Sequence, residues 1–365
     1  MVVSSLLSAA VPLLPLRKPK PSLSSSLSIS SCSYSYSCSS GIFATPETMG
    51  SPQTLNGLES SAVFEVEERS EVPMPSVVAG EDDEPDKLVP GVGSQASLER
   101  PDTLLDSSLN GVTSISQQKI VTRNSYGENL AGILHEAGSA DLVILCHGFR
   151  SSKESRTILN LADSLTSEKI STFRFDFSGN GESEGRFQYG NYWKEVEDLR
   201  AVVLYFSKQN RQTRAIVGHS KGGNVVILYA SMYRDISIVI NVSGRFDLER
   251  GIADRLGKDY MEKIKQYGFI DVRDKLGRCI YRVTEESLMD RLKTDMQGAC
   301  LSIDQNCRVL TIHGSEDDIV PPKDALEFAK FITSHRLHII TGADHRYLTH
   351  QFELAETILE FIRSF

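Results

Sequence analysis

From residue 119 onward the chain alternates short apolar runs with stretches in which apolar residues recur every three or four positions. Runs near 141–146, 171–177, 213–219, 236–242, 308–313 and 336–341 are apolar almost throughout, whereas stretches near 153–167, 191–208, 221–233, 323–334 and 347–364 carry a helical period. A short run without polar alternation reads as a strand buried on both faces, and helices between such strands supply the cover. The pattern predicts an α/β protein with a predominantly parallel, doubly wound sheet. It opens with an antiparallel pair, 119–123 and 130–136, around a turn at Gly127. No internal repeat is present.

One connection breaks the rhythm. Residues 246–306, roughly sixty, join two adjacent strands where a short crossover would serve. The amphipathic pieces 259–264 and 285–292 suit short helices lying over the sheet edge, so this insertion is expected to be a small helical cap that selects the substrate.

Candidate chemistry sits in the loops that follow the strands. Gly218-His219-Ser220-Lys221-Gly222 places a serine where a strand turns sharply into a helix, the arrangement of a nucleophile elbow. Taken alone, such a serine could equally N-cap the helix. Two later segments add partners in the chain order serine, acid, histidine: Asp317 follows the apolar strand at 308–313, and His345 follows the strand at 336–341. Loops at one carboxyl edge of a parallel sheet can bring these side chains together.

The sequence resembles the α/β-hydrolase superfamily over roughly residues 119–365, and within it capped esterases similar to feruloyl or cinnamoyl esterases and serine aminopeptidase-like hydrolases. The motifs that carry the resemblance are His147-Gly148-Phe149, Asp176-Phe177-Ser178-Gly179-Asn180-Gly181-Glu182-Ser183, the glycine-rich elbow, the Gly-x-x-Asp-x-x-Val-Pro ending at Pro321, and Gly342-Ala343-Asp344-His345. It implies that Asp317 rather than Asp318 is the acid, since the family's acid lies three residues before the valine, here Val320. Ser220 is then the nucleophile, His345 the general base and Asp317 the group that orients it. Backbone N–H groups of Phe149 and Lys221 are the expected oxyanion donors. His147, His219 and His313 are expected to shape loops without a chemical role. The Lys221 ammonium, unusual at this position, either assists an anionic group or points to solvent, and the second is the expectation. Asp176 and Ser183 are read as turn residues, Tyr192 and Trp193 as packing residues.

Composition adds limits. The 365 residues, 40% hydrophobic with a net charge of −9, offer no electrostatic case for nucleic acid. Residues 1–48 are rich in serine, with no acidic residue before Glu47, and resemble a plastid transit peptide; a chloroplast stroma location is expected, with mitochondrion or cytoplasm as alternatives. Pro12 and Pro15 interrupt the first apolar stretch well short of the roughly 20 residues of a spanning helix, so no transmembrane segment is expected. Residues 49–114 are acidic and polar and read as a disordered linker, leaving 115–365 as the folded domain. Cysteine spacing matches no metal site; Cys279, Cys300 and Cys307 are expected to be packing thiols, with a redox pair as the alternative. The expected function is hydrolysis of a small-molecule carboxylic ester through an acyl-enzyme, without metal or organic cofactor. A thioesterase or acyl lipase is the neighbouring alternative; a ligand receptor or scaffold on the same fold is the alternative of another class.

Overall fold

The computed structural model describes residues 74–79 and 116–364; the expected presequence and most of the expected linker lie outside them. Strand β1 (Ser76–Val78) precedes β2 (Ser116–Arg123), β3 (Asn129–Glu136), β4 (Asp141–Cys146), helix α1 (Arg156–Ser167), β5 (Ser171–Phe175), α2 (Tyr192–Lys208), β6 (Gln212–His219), α3 (Lys221–Met232) and β7 (Ile238–Val242). The insertion follows with α4 (Ile252–Leu256), α5 (Tyr260–Tyr267), β8 (Phe269–Arg273), β9 (Cys279–Thr284), α6 (Glu285–Lys293) and α7 (Met296–Ser302). Then come β10 (Arg308–Gly314), α8 (Lys323–Phe331), β11 (His335–Ile340) and α9 (Gln351–Arg363).

Eight strands form the main sheet in the order β11-β10-β7-β6-β4-β5-β3-β2. Neighbours from β5 to β11 are parallel, and β3 and β2 extend the β5 edge antiparallel. Period-two geometry explains why the central strands are apolar throughout: Leu142, Ile144 and Cys146 enter the apolar cluster shared with α2 and α3, while Val143 and Leu145 enter the cluster shared with α1 and α9. Each face is covered, so apolar residues dominate the central strands and the polar ones there, such as Asn241, Thr311 and His313, are buried with them. From β4 the chain crosses to β5 on one side and returns to β6 on the other. The loops after β4 and β6 therefore diverge at a topological switch point, where a crevice forms.

The insertion departs from the expected helical cap in two ways. Its helices are joined by a hairpin, β8 paired antiparallel with β9, turning at Gly277 in the left-handed region (φ 79°). Its last helix is not part of the cover: α7 packs on α3 and α8, and Met296, Ala299 and Cys300 join the main core. A separate apolar cluster holds the rest, with Ile252, Leu256, Ile264, Ile270, Val272, Val283 and Leu288 buried.

The tract expected as linker contributes a strand. β1 lies parallel to β8 as the third member of the insertion's sheet, with Ala79 N–H donating to the Arg273 carbonyl at 2.7 Å and Asp271 N–H donating to the Pro75 carbonyl at 3.0 Å. The unpaired edge of β8 is satisfied by a distant piece of backbone.

Candidate active site

Ser220 occupies φ 56°, ψ −120°, between the end of β6 and the start of α3. Such a backbone is strained for a residue with a side chain and persists only when its surroundings hold it. Here the Ser220 N–H donates to the Val242 carbonyl at 2.8 Å. A Cβ at Gly218 would strike the Gly222 carbonyl, and one at Gly222 would press on the Cys146 and His147 carbonyls, so the tight turn needs both glycines. The serine side chain makes no capping hydrogen bond to α3, which removes the N-cap reading. Its hydroxyl is left for other work.

Asp317 is buried in the loop after β10, whereas Asp318 is exposed. The Asp317 Oδ1 accepts from the N–H groups of Ile319 (3.1 Å) and Val320 (2.7 Å), and Oδ2 accepts from His345 Nδ1 at 2.7 Å. Burial works to raise this carboxyl, but hydrogen bonds from His313 and His345 outweigh it and hold the group well below the usual carboxylate range. With its Nδ1 hydrogen committed to a carboxylate, neutral His345 carries its lone pair on Nε2. The loop bearing His345 is tied to the elbow through His219, whose Nε2–H donates to the His345 carbonyl at 2.8 Å with the two rings 5.0 Å apart. From the other side, a Cβ built on Gly148 would lie 3.0 Å from Ser220 Cβ and 3.5 Å from its Oγ. The loop carrying Phe149 thus runs directly against the serine. Four loops from different parts of the chain converge on one sheet edge.

Residues 138–267 match the family described as serine aminopeptidase, S33. Among solved structures, Est1E of Butyrivibrio proteoclasticus with ferulic acid bound is 25% identical with a TM-score of 0.59, covering 67% of this chain and 98% of its own. The esterase Pf2001 of Pyrococcus furiosus superposes with a TM-score of 0.55 at 20% identity, covering 74% of this chain and 99% of its own. The chain has the α/β-hydrolase fold. Curated relatives include the human mitochondrial palmitoyl-protein thioesterase ABHD10, 24% identical over 57% of this chain and 68% of that protein. The protein phosphatase methylesterase 1 of Candida albicans is 29% identical over 43% of this chain, which spans 44% of that relative's length.

Within this hydrolase fold Lys221 departs from the expected solvent-facing side chain. Its ammonium is buried, 2.7 Å from Glu195 Oε1 and 5.0 Å from the centre of the Tyr192 ring. Nothing in the local sequence announces Glu195, which lies on α2 26 residues upstream of Lys221 and faces inward beside Val196. Burial raises the Glu195 carboxyl to about 7 against the pull of Lys221. A carboxyl raised on folding contributes stability at low pH that is lost between about 4.5 and 7. Lys221→Met removes the cation that limits this loss. Its destabilisation, read from urea midpoints, is expected to be small at pH 5 and to grow above pH 7 by up to about 1.4 kcal/mol per pH unit.

The other predicted loop residues are structural. His147 donates from Nδ1 to the Gly148 carbonyl at 2.8 Å and accepts the Phe177 N–H at 3.1 Å through Nε2; burial lowers it to about 4, and it serves to shape the Phe149 loop. Burial, reinforced by His345, lowers His219 to about 3. Asp176 binds Lys153 Nζ (2.7 Å) and the Glu182 N–H (2.9 Å), and Ser183 bonds the Asp176 carbonyl, as expected of turn residues. Tyr192 is buried, but Trp193 is exposed rather than packed.

The insertion meets the site through Phe149, whose ring packs edge-on against Phe187 (5.3 Å), Tyr189 (5.7 Å) and Tyr281 (5.8 Å). A cleft of about 630 Å³ opens alongside, lined by Arg150, Ser151, Phe187, Tyr281 and Arg282 among others; Ser220 does not line it. Among the described residues no group of three or more His, Cys, Asp or Glu is placed to hold a metal ion, and no helix is long and apolar enough to cross a membrane. Cys146, Cys279, Cys300 and Cys307 are free thiols; Cys300 and Cys307 are buried as expected of packing residues, and burial pushes them up to about 12 and about 11, whereas Cys279 is exposed rather than packed.

Proposed function

We propose that the protein is a serine hydrolase that cleaves a small-molecule carboxylic ester through an acyl-enzyme. The observation that carries this reading is the His345 imidazole held through Nδ1 on a buried carboxylate while its loop is bonded to the residue preceding Ser220. In that arrangement His345 Nε2 takes the Ser220 proton as Oγ attacks the acyl carbon, and Asp317 stabilises the imidazolium that forms. The oxygen of the tetrahedral intermediate receives hydrogen bonds from the N–H groups of Phe149 and Lys221, the first held in place by the His147 contacts. His345 then protonates the departing alcohol, and water repeats the sequence in reverse to release the acid.

The insertion acts as the cap. Its contact with Phe149 puts substrate selection next to the oxyanion donor. A thioester is the second reading, supported by the named thioesterase relative, because the same tetrahedral chemistry expels a thiolate. The serine-rich, acid-free start of the chain supports a plastid location; a fluorescent fusion of residues 1–50 directed elsewhere would overturn that part.

A fluorophosphonate probe tests the serine reading without knowledge of the substrate. The expected result is stoichiometric labelling at Ser220, absent in Ser220→Ala. An unlabelled, folded protein would instead favour a receptor or scaffold.

A further inference from the structure

A second imidazole reaches the same carboxylate. His313, at the end of β10, is fully buried, and its Nε2 lies 3.2 Å from Asp317 Oδ2 and 2.8 Å from the Val320 carbonyl oxygen. Both neighbours are acceptors, so Nε2 must carry the hydrogen and share it between them. The opposite ring nitrogen, Nδ1, has no hydrogen-bond partner among the described residues. The ring therefore presents one usable proton, aimed at the loop that holds the acid.

We propose that His313 is a positioning residue for the Ser220–His345–Asp317 chemistry, locking the Asp317 carboxylate so that Oδ2 faces His345 in one orientation. This rests on the serine-hydrolase reading above. A carboxylate offers about four lone-pair sites. Here the Ile319 and Val320 N–H groups occupy Oδ1, and His345 and His313 occupy Oδ2. Because His313 also bonds the Val320 carbonyl, it ties the carboxylate to the same loop residue whose N–H holds the other oxygen. The carboxylate is thereby gripped from both ends, and rotation that would break the 2.7 Å contact with His345 is blocked.

There is also an electronic consequence. A donor on Oδ2 draws off part of the negative charge that His345 Nδ1–H would otherwise meet, so the imidazolium is stabilised less and the base stays available to lower pH. Other groups face this pair. The His219 ring stands 5.0 Å from that of His345, Arg346 acts on His219, Asp317 and Asp344 both act on Tyr347, and the Arg245 guanidinium donates to the Ile319 carbonyl. All of them stay in place when only His313 is changed.

The test compares His313→Phe, which fills the space without a donor, with His313→Gln, whose amide nitrogen reaches about as far as an imidazole Nε2. Steady-state hydrolysis of an activated aryl ester is measured across pH on the full chain, with thermal melts on each variant. His313→Phe is expected to lower kcat about tenfold with KM within a factor of two. It should also move the acid limb of kcat/KM up by about half a pH unit. His313→Gln should restore both. A folded His313→Phe protein with unaltered kcat and acid limb overturns the assignment, as does a folded His313→Gln protein impaired to the same degree. Should His313→Phe fail to fold, the Gln variant alone decides: a wild-type acid limb supports the donor role, and a displaced one overturns it. Fluorophosphonate labelling separates the layers, because a wild-type Ser220 that stays unlabelled overturns the hydrolase reading and this assignment together. Labelled wild type with an indifferent His313 overturns only the latter.

Discussion

Ser220→Ala is expected to lower kcat on a carboxylic ester by about 10⁶-fold, with a melting temperature close to that of the parent. The fold should survive because the side chain caps nothing. The φ of 56° is imposed by the Ser220 N–H bond to Val242 and by the glycines at 218 and 222, none of which involves the hydroxyl. Alanine pays the same backbone strain as serine, so no relief is expected either. What disappears is the covalent route itself. The Phe149 and Lys221 N–H groups would still polarise a bound carbonyl and leave residual turnover about 10³–10⁴ above water. A variant that kept more than one per cent of parental activity, with contamination excluded by the probe, would contradict the assignment of Ser220.

The second large effect is expected at Asp317→Asn, about 10⁴-fold in kcat. Its size comes from the tautomer rather than from lost charge alone. An asparagine can turn its N–H toward His345 Nδ1, which then becomes the acceptor, and the hydrogen moves to Nε2, the atom that must receive the serine proton. The neighbours bear on which way the amide turns. The Ile319 and Val320 N–H groups demand an acceptor at one position of the carboxylate, so the amide nitrogen is forced to the position facing His345 and His313. Activity should recover in part at high pH, where hydroxide can assist the serine directly, and a pH profile to about 10 checks this. Asp318→Asn, at an exposed position one residue away, should stay within twofold of the parent.

Those expectations were largely open to sequence reasoning because they rest on local features. Apolar runs without alternation at 141–146 and 213–219 require cover on both faces, and a parallel sheet follows from that requirement. Gly218 and Gly222 around a serine encode the elbow because a tight turn excludes side chains at those positions. The hairpin of the insertion was also present in the residues: Ile270 and Val272, then Tyr281 and Val283, alternate inward around Gly277, a strand period hidden beside helical pieces. By contrast, β1 is three residues inside an acidic tract, and its pairing with β8 is a register between segments nearly two hundred positions apart. No local pattern could disclose it.

Lys221 and His313 show the same limit at single residues. A lysine at the first position of a helix reads as solvent-exposed because burying an ammonium alone is costly. Glu195 reverses that outcome, and only the packing of α2 against α3 brings the two together. His313 looked like a strand residue before a motif glycine; its bond to Asp317 depends on the loop turning back over the strand end so that Val320 and the carboxylate meet one imidazole. By itself the amino-acid order determined the strands of the main sheet and the elbow, since each follows from near-neighbour sterics and the period of apolar positions. Tertiary structure alone decided which charges are buried in pairs, which imidazoles reach Asp317 and which distant strand closes the insertion's sheet, because those are encounters across space whose energy depends on partners the local chain does not name.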